Sequence, residues 1–200
     1  MTDLNHYDGE NRYGQNGHRR CRSSFWIHDP EQVFSELNLR DGDCFLDMGC
    51  GSGDYAIRAS EIVGNSGKVF ALDRWQDGID DLTEKAGSLR LNNLRAIAAD
   101  ITAPLPIEDG SIDVCFLATV LHIFKLADVE GVLFNEIRRV LKPGGRIVII
   151  NCKREIQPFG PPVHMRQSPE ELEGCINSYG FEKTSLADLG FNYMIQFIKK

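Results

Sequence analysis

Apolar residues in this chain fall into short unbroken runs that alternate with stretches of helical spacing. The runs are Phe45-Leu46-Asp47, Lys68–Asp73, Asn93–Ile101, Ile112–Ala118 and Arg146–Ile150. Runs of this kind predict strands of a sheet covered on both faces. Between them, residues 54–63 carry a helix pattern. A second amphipathic helix follows, with Val129, Val132, Leu133, Ile137, Val140 and Leu141 at helical spacing, until Lys142-Pro143-Gly144-Gly145 stops it. Asp29-Pro30 opens a further helix over 30–37, as N-cap and first-turn proline. Gly180-Phe181 starts a sixth strand, and the alternation over 191–198 predicts a seventh in an antiparallel hairpin. Strands alternating with helices read as an α/β, doubly wound sheet.

The first strand runs into Met48-Gly49-Cys50-Gly51-Ser52-Gly53-Asp54. A strand that turns abruptly into a helix leaves backbone N–H groups pointing into a crevice, and glycine removes the Cβ that would keep a ligand away. The spacing separates two cofactors. A dinucleotide fingerprint places its third glycine three residues after the second, where pyrophosphate meets the helix N-terminus. Asp54 stands at that position here, and Asp47 precedes the first glycine by two residues. Two acids repel pyrophosphate and suit a ligand carrying an ammonium and a sulfonium group, as S-adenosylmethionine does. The second run ends in Asp73, placed to accept ribose hydroxyls, with Arg74 and Trp75 beside it to flank the base. The third ends in Asp100-Ile101, an acid for the adenine amino group and a backbone for its ring.

On LDMGCGSG (46–53), ALDRW (71–75), AADI (98–101), SIDVCFLATVLHI (111–123) and EIRRVLKPGGRIVII (136–150), the chain resembles the class I S-adenosylmethionine-dependent methyltransferases of the small type-11, ubiquinone/menaquinone-methylase-like group. The resemblance implies a Rossmann-like sheet of seven strands in the order 3-2-1-4-5-7-6 with strand 7 antiparallel. It also implies a cofactor site at Asp47, Met48, Gly49, Gly51, Gly53, Asp73, Arg74, Asp100, Ile101 and Ala118, with S-adenosylhomocysteine as the product left behind. Asp113 matches a family acid that anchors structure rather than catalysing.

Composition narrows the partners. Acids outnumber bases 29 to 22, and no basic run exceeds Arg19-Arg20, which argues against a nucleic-acid surface. No apolar stretch approaches the ~20 residues of a membrane helix, and the start of the chain is polar rather than signal-like. These features predict a cytoplasmic protein without stable membrane association; a monomer or homodimer is expected, the sequence not showing which. Residues 1–24, rich in Asn, Gly, Arg and Asp, read as a flexible arm or lid, and 25–200 as one domain. Phe25 and Trp26 suit either core packing or an aromatic wall over the site. The six cysteines form no C-x-x-C, so no metal site is expected.

An activated sulfonium methyl needs mostly alignment, and a general base only where the acceptor arrives protonated. Beyond the fourth and fifth strands lie Thr119, His122 and Lys153, with His122 best placed as the base; a packing role is its alternative. Within loop 152–167, a length typical of lids, Arg166 and His164 stand where an acceptor would arrive, Arg166 suiting an anionic one. The expectation is a methyltransferase acting on a small-molecule acceptor. Two alternatives stay open: a catalytically silent S-adenosylmethionine-binding module, and an arsenite-type enzyme using Cys152 with Cys21 or Cys175. A nicotinamide-dependent oxidoreductase would explain Asp73 but neither the glycine spacing nor Asp100.

Overall fold

One seven-stranded sheet organises the chain, in the order β3-β2-β1-β4-β5-β7-β6. The computed structural model describes residues 23–200, so Cys21 and all but the last two residues of the expected arm lie outside the described residues. The strands are β1 (Cys44–Met48), β2 (Lys68–Asp73), β3 (Leu94–Ala98), β4 (Ile112–Ala118), β5 (Leu141–Cys152), β6 (Phe181–Leu189) and β7 (Asn192–Lys199). The helices are α1 (Pro30–Leu37), α2 (Asp54–Val63), α3 (Gln76–Ser88), α4 (Leu126–Val140) and α5 (Pro169–Asn177). β1 to β5 pair in parallel, and β7 enters antiparallel between β5 and β6, as expected.

The unbroken apolar runs serve two faces at once, because successive side chains of a strand point to opposite sides. On one face Phe45, Val114, Phe116, Val148 and Ile150 meet α1, α2 and α3 through Phe34, Tyr55, Ala59 and Leu82. On the other, Leu46, Met48, Cys115, Leu117, Ile147 and Ile149 meet α4 and α5 through Leu133, Phe134, Ile137, Leu172 and Ile176. Asp29 caps α1 through a 3.0 Å bond from the Glu31 N–H, and Ser168 with Glu171 forms a capping box on α5. Asp113 is the anchor that the resemblance implies: its Oδ2 accepts from the Cys44 N–H (2.8 Å) and from Lys142 Nζ (2.6 Å).

The boundaries differ from expectation in three places. The third strand ends at Ala98, because Asp100 Oδ1 accepts from both the N–H and the hydroxyl of Thr102 and turns the chain there. β5 takes up Leu141, which pairs with Ile112 before a register shift absorbs Lys142–Gly145. Helices α3 and α5 carry apolar stripes too narrow to stand out in the sequence: Ile79, Leu82 and Ala86 in the first, Leu172 and Ile176 in the second. Among the described residues no helix is long and apolar enough to cross a membrane.

Candidate active site

β1 and β4 are neighbours, and the chain leaves them towards opposite edges of the sheet. In such sheets a crevice opens beyond the carboxyl ends of those two strands. The turn from β1 to α2 lines it. Gly49, Gly51 and Gly53 all take left-handed backbone, with φ of 79°, 52° and 74°. A Cβ on Gly49 would lie 2.6 Å from Val120 Cγ2, and one on Gly53 2.4 Å from Leu82 Cδ1. A Cβ on Gly51 would meet nothing within 4 Å. Two of the glycines therefore close the turn against its neighbours, and the middle one bares backbone towards open space.

Three carboxylates surround this turn. Asp73 Oδ2 accepts from the Gly51 N–H at 2.9 Å and Oδ1 from the Trp75 N–H at 3.0 Å, which ties the end of β2 to the glycine turn. Each oxygen keeps a lone pair for a further donor. Asp54, first residue of α2, accepts from the Ser52 hydroxyl at 2.6 Å and lies 3.5 Å from Lys85 Nζ. Asp47, the penultimate residue of β1, lies beneath the first turn of α2 and is 1% exposed, and among the described residues its Oδ2 has no hydrogen-bond partner. Burial first, and then the charge of Asp73, push its carboxyl up to about 8, against a pull from the Ala56 N–H. Met48 is buried behind the turn. Asp100 is exposed, and its bonds to Thr102, with Arg74 adding to them, hold it below the usual carboxylate range. Arg74 is exposed beside it, and Ile101 is buried. Trp75 lies over Gly78, where a Cβ would meet its ring at 2.4 Å, so it packs on the start of α3.

This set fits the cofactor expected from the sequence. An orphaned buried carboxylate oxygen, two further acids and a bare glycine N-terminal to a helix suit a nucleoside that carries positive charge.

The far side of the crevice, past β4 and β5, is built from other groups. Ala118 ends β4 half-buried, and Thr119 takes left-handed backbone (φ 53°) while its N–H is held by Ile150 O at 2.8 Å. A β-branched residue in that region stores strain. His122 follows in a single 3₁₀ turn, Leu121–Ile123, with Nδ1 buried and unpartnered among the described residues. Burial and then the charge of Arg166 hold it below the usual imidazole range, so it is neutral at pH 7.

Arg166 corrects the reading of it as a holder for an anionic acceptor. It is 5% exposed and donates to the carbonyls of Pro161 (2.7 Å), Lys153 (3.0 Å), Glu155 (2.7 Å) and Phe159 (3.3 Å). The guanidinium thereby pins loop 153–165 from within. Lys153 is engaged by both oxygens of Asp188 at 2.8 Å, and His164 is exposed. Cys175 donates to Glu130 Oε2 at 3.0 Å, whereas Cys152 is buried near Gly160 and Arg166. Among the described residues no three His, Cys, Asp or Glu side chains are grouped to hold a metal ion. Phe25 packs edge-on to Tyr55, with centroids 5.1 Å apart, and Trp26 is 73% exposed against Phe25. Val120 and the interior position of Arg166 had no local signal in the sequence.

A family model described as a methyltransferase domain matches residues 39–190. Demethylmenaquinone methyltransferase of Oceanobacillus iheyensis is 33% identical over 151 residues, which are 74% of this chain and 62% of that protein. The chain spans about half to three fifths of the length of the curated relatives it matches. The crystal structure of a SAM dependent methyltransferase from Aquifex aeolicus superposes with a TM-score of 0.80 at 27% identity, over 90% of this chain and 95% of that one. The [4+2]-cyclase SpnF, at 19% identity, TM-score 0.71 and coverage of 84% and 78%, shares the fold alone. The glycine turn, its acids and these likenesses agree: the chain belongs to the methyltransferase domain family, as a class I S-adenosylmethionine-dependent methyltransferase of the type-11 group.

Proposed function

We propose that residues 25–200 act as one unit that moves the methyl group of S-adenosylmethionine to a small-molecule acceptor seated beyond β4 and β5. The observation that carries this reading is the Gly51–Asp73 pairing beside an orphaned Asp47, because it joins open backbone to unspent negative charge. Asp73 accepts from the ribose hydroxyls with its remaining lone pairs. Met48, Gly49, Gly51, Gly53 and Ala118 form the walls, with Asp47 beneath them. Asp100 and Ile101 meet the adenine, and Arg74 covers its edge. When bound, the cofactor supplies an activated methyl, and the chain supplies alignment, worth several kcal/mol in favourable cases. His122, neutral and with a free ring nitrogen, takes the proton from an acceptor that arrives as an alcohol or a carbon acid.

Among small molecules, the relatives' names point to a quinone-type acceptor. Calorimetric titration with S-adenosylmethionine, S-adenosylhomocysteine and NADH tests the cofactor site: micromolar binding of the first two alone is expected. Product release is then assayed over a panel of phenolic, quinol and carbon-acid acceptors. Tight cofactor binding with no methylated product in any panel would leave a silent binding module as the better reading.

A further inference from the structure

We propose that Asp47 is a proton-linked charge sensor that distinguishes the cationic cofactor from its uncharged-sulfur product, releasing its proton when S-adenosylmethionine binds and regaining it once the methyl has left. The inference rests on the cofactor reading above and adds to it a role for one buried oxygen.

Asp47 is the only acid of the three around the turn that is closed off from solvent; the Ala56 N–H acts on its carboxyl, and its Oδ2 meets no donor among the described residues. Asp73 and Asp54 each have donors of their own: the Gly51 and Trp75 N–H groups for the first, Ser52 and Lys85 for the second. No side chain described around Asp47 offers it a positive charge. From β2 comes Asp73, and from α2 come Asp54 and Tyr55. From the turn itself comes Cys50, and β4 places apolar Phe116 alongside. Burial keeps the Cys50 thiol and the Tyr55 phenol far above their ordinary ranges, so both stay neutral. Lys85 from α3 is spent on Asp54, and Arg74 acts on the exposed Asp100. A buried carboxylate so placed keeps a proton at neutral pH and gives it up only to a positive charge brought from outside.

S-adenosylmethionine brings an ammonium and a sulfonium; S-adenosylhomocysteine keeps the ammonium and loses the sulfonium charge. The two ligands therefore differ in how strongly they favour ionised Asp47. Loss of the sulfonium charge then removes part of what holds Asp47 ionised, without any rearrangement of the chain. Linkage makes the same statement about pH: wherever binding releases one proton, affinity rises by up to about tenfold per pH unit and levels off near the carboxyl's own value.

The test is calorimetric titration of the whole protein and of Asp47→Asn with each ligand, in buffers of different ionisation enthalpy. The ligands' own amino groups titrate in the same range, so the informative quantity is the difference between the two proteins. At pH 7 the wild type is expected to release close to one proton more per S-adenosylmethionine than the variant. The excess should be smaller with S-adenosylhomocysteine and vanish well above pH 8. Equal proton counts with tight binding to both proteins would overturn the sensor while leaving the cofactor reading intact. Absence of binding to either protein would remove both. Infrared difference spectra of the wild type alone, isotope-labelled at the aspartate carboxyl carbon, need no variant. Loss of a carboxylic-acid band on adding S-adenosylmethionine supports the assignment, and a band that persists through binding overturns it.

Discussion

The Gly49–Gly53 turn and loop 153–165 both lie beyond carboxyl ends of the sheet, and they are built in opposite senses. The turn is held by backbone shape, with three left-handed glycines of which Gly49 presses on Val120 and Gly53 on Leu82, and it leaves polar capacity unspent at Asp47 and Asp73. The loop is held by one side chain, Arg166, whose donors are spent inward on four carbonyls. A segment that satisfies itself offers a ligand only its outer surface. A segment that leaves buried charge unsatisfied is stable at the cost of that group's desolvation, and a ligand that supplies the missing partner recovers it.

The sharpest way to break the contrast is Arg166→Met, which leaves the carbonyls of Lys153, Glu155, Pro161 and Phe159 without their donor. We expect a loss of about 4 kcal/mol, read from the urea midpoint, with the loop newly open to proteolysis and cofactor affinity within threefold of wild type. His122→Ala removes the proposed base: turnover should fall about a hundredfold with cofactor affinity unchanged, and unchanged turnover would make the imidazole a packing group.

Within the turn itself, the two kinds of glycine can be separated. Gly53→Ala drives a methyl into Leu82 on left-handed backbone and should cost roughly 2–3 kcal/mol of stability. Gly51→Ala, which meets no neighbour, should cost the fold only about 1 kcal/mol but weaken cofactor binding tenfold or more. Asp73→Ala should weaken it by at least tenfold, about 1.4 kcal/mol, and wild-type affinity in that variant would remove the ribose assignment.

A last contrast, small per pH unit, concerns titration. His28 is buried between Tyr55 (2.9 Å to its hydroxyl) and Asn192 (2.5 Å to its amide), and burial brings it down to about 4. A histidine kept neutral in the fold costs stability as pH falls from its unfolded value near 6.5 towards 4, by at most about 1.4 kcal/mol per unit. Asp47 has the opposite sign: its folded value near 8 lies above the unfolded one, so stability declines as pH rises from about 4 to 8. The two slopes oppose each other between about pH 4 and 6.5, and Asp47 acts alone from there to about 8. In pH-dependent melting, Asp47→Asn should therefore flatten the decline between about 6.5 and 8, and His28→Gln should uncover that decline below 6.5.

How much of this could be read from the chain follows the same division. The parallel strands were legible because double burial writes itself as unbroken apolar runs, and the turn because left-handed backbone writes itself as glycine at fixed spacing. Asp73 was legible as a strand-end acid, although its bond to Gly51 was not. Arg166 was not legible at all. Its burial depends on carbonyls that a proline-rich loop folds back towards it, and an arginine in a polar loop reads the same whether it faces in or out. Lys153 reads as a free base in sequence because its partner, Asp188, lies two strands away in space and 35 residues along the chain. The third strand was read too long because Asp100 serves both as a strand-end acid and as the cap of its own turn.

The position of β7 has a consequence for how the molecule is made. Among the described residues β6 pairs with β7 and with no other strand, while β7 also pairs with β5. Strands β1 to β5 can thus assemble in order as they leave the ribosome, since each finds a parallel neighbour already synthesised. β6 emerges before residues 192–199 and has no ladder to join until they arrive between it and β5. Once seated, β7 locks this edge through Lys199, whose Nζ donates to the carbonyls of Arg138 and Leu141 at 2.6 Å. During synthesis the five-stranded intermediate therefore presents β5 as an open edge, and the nascent protein is most exposed to aggregation in that interval.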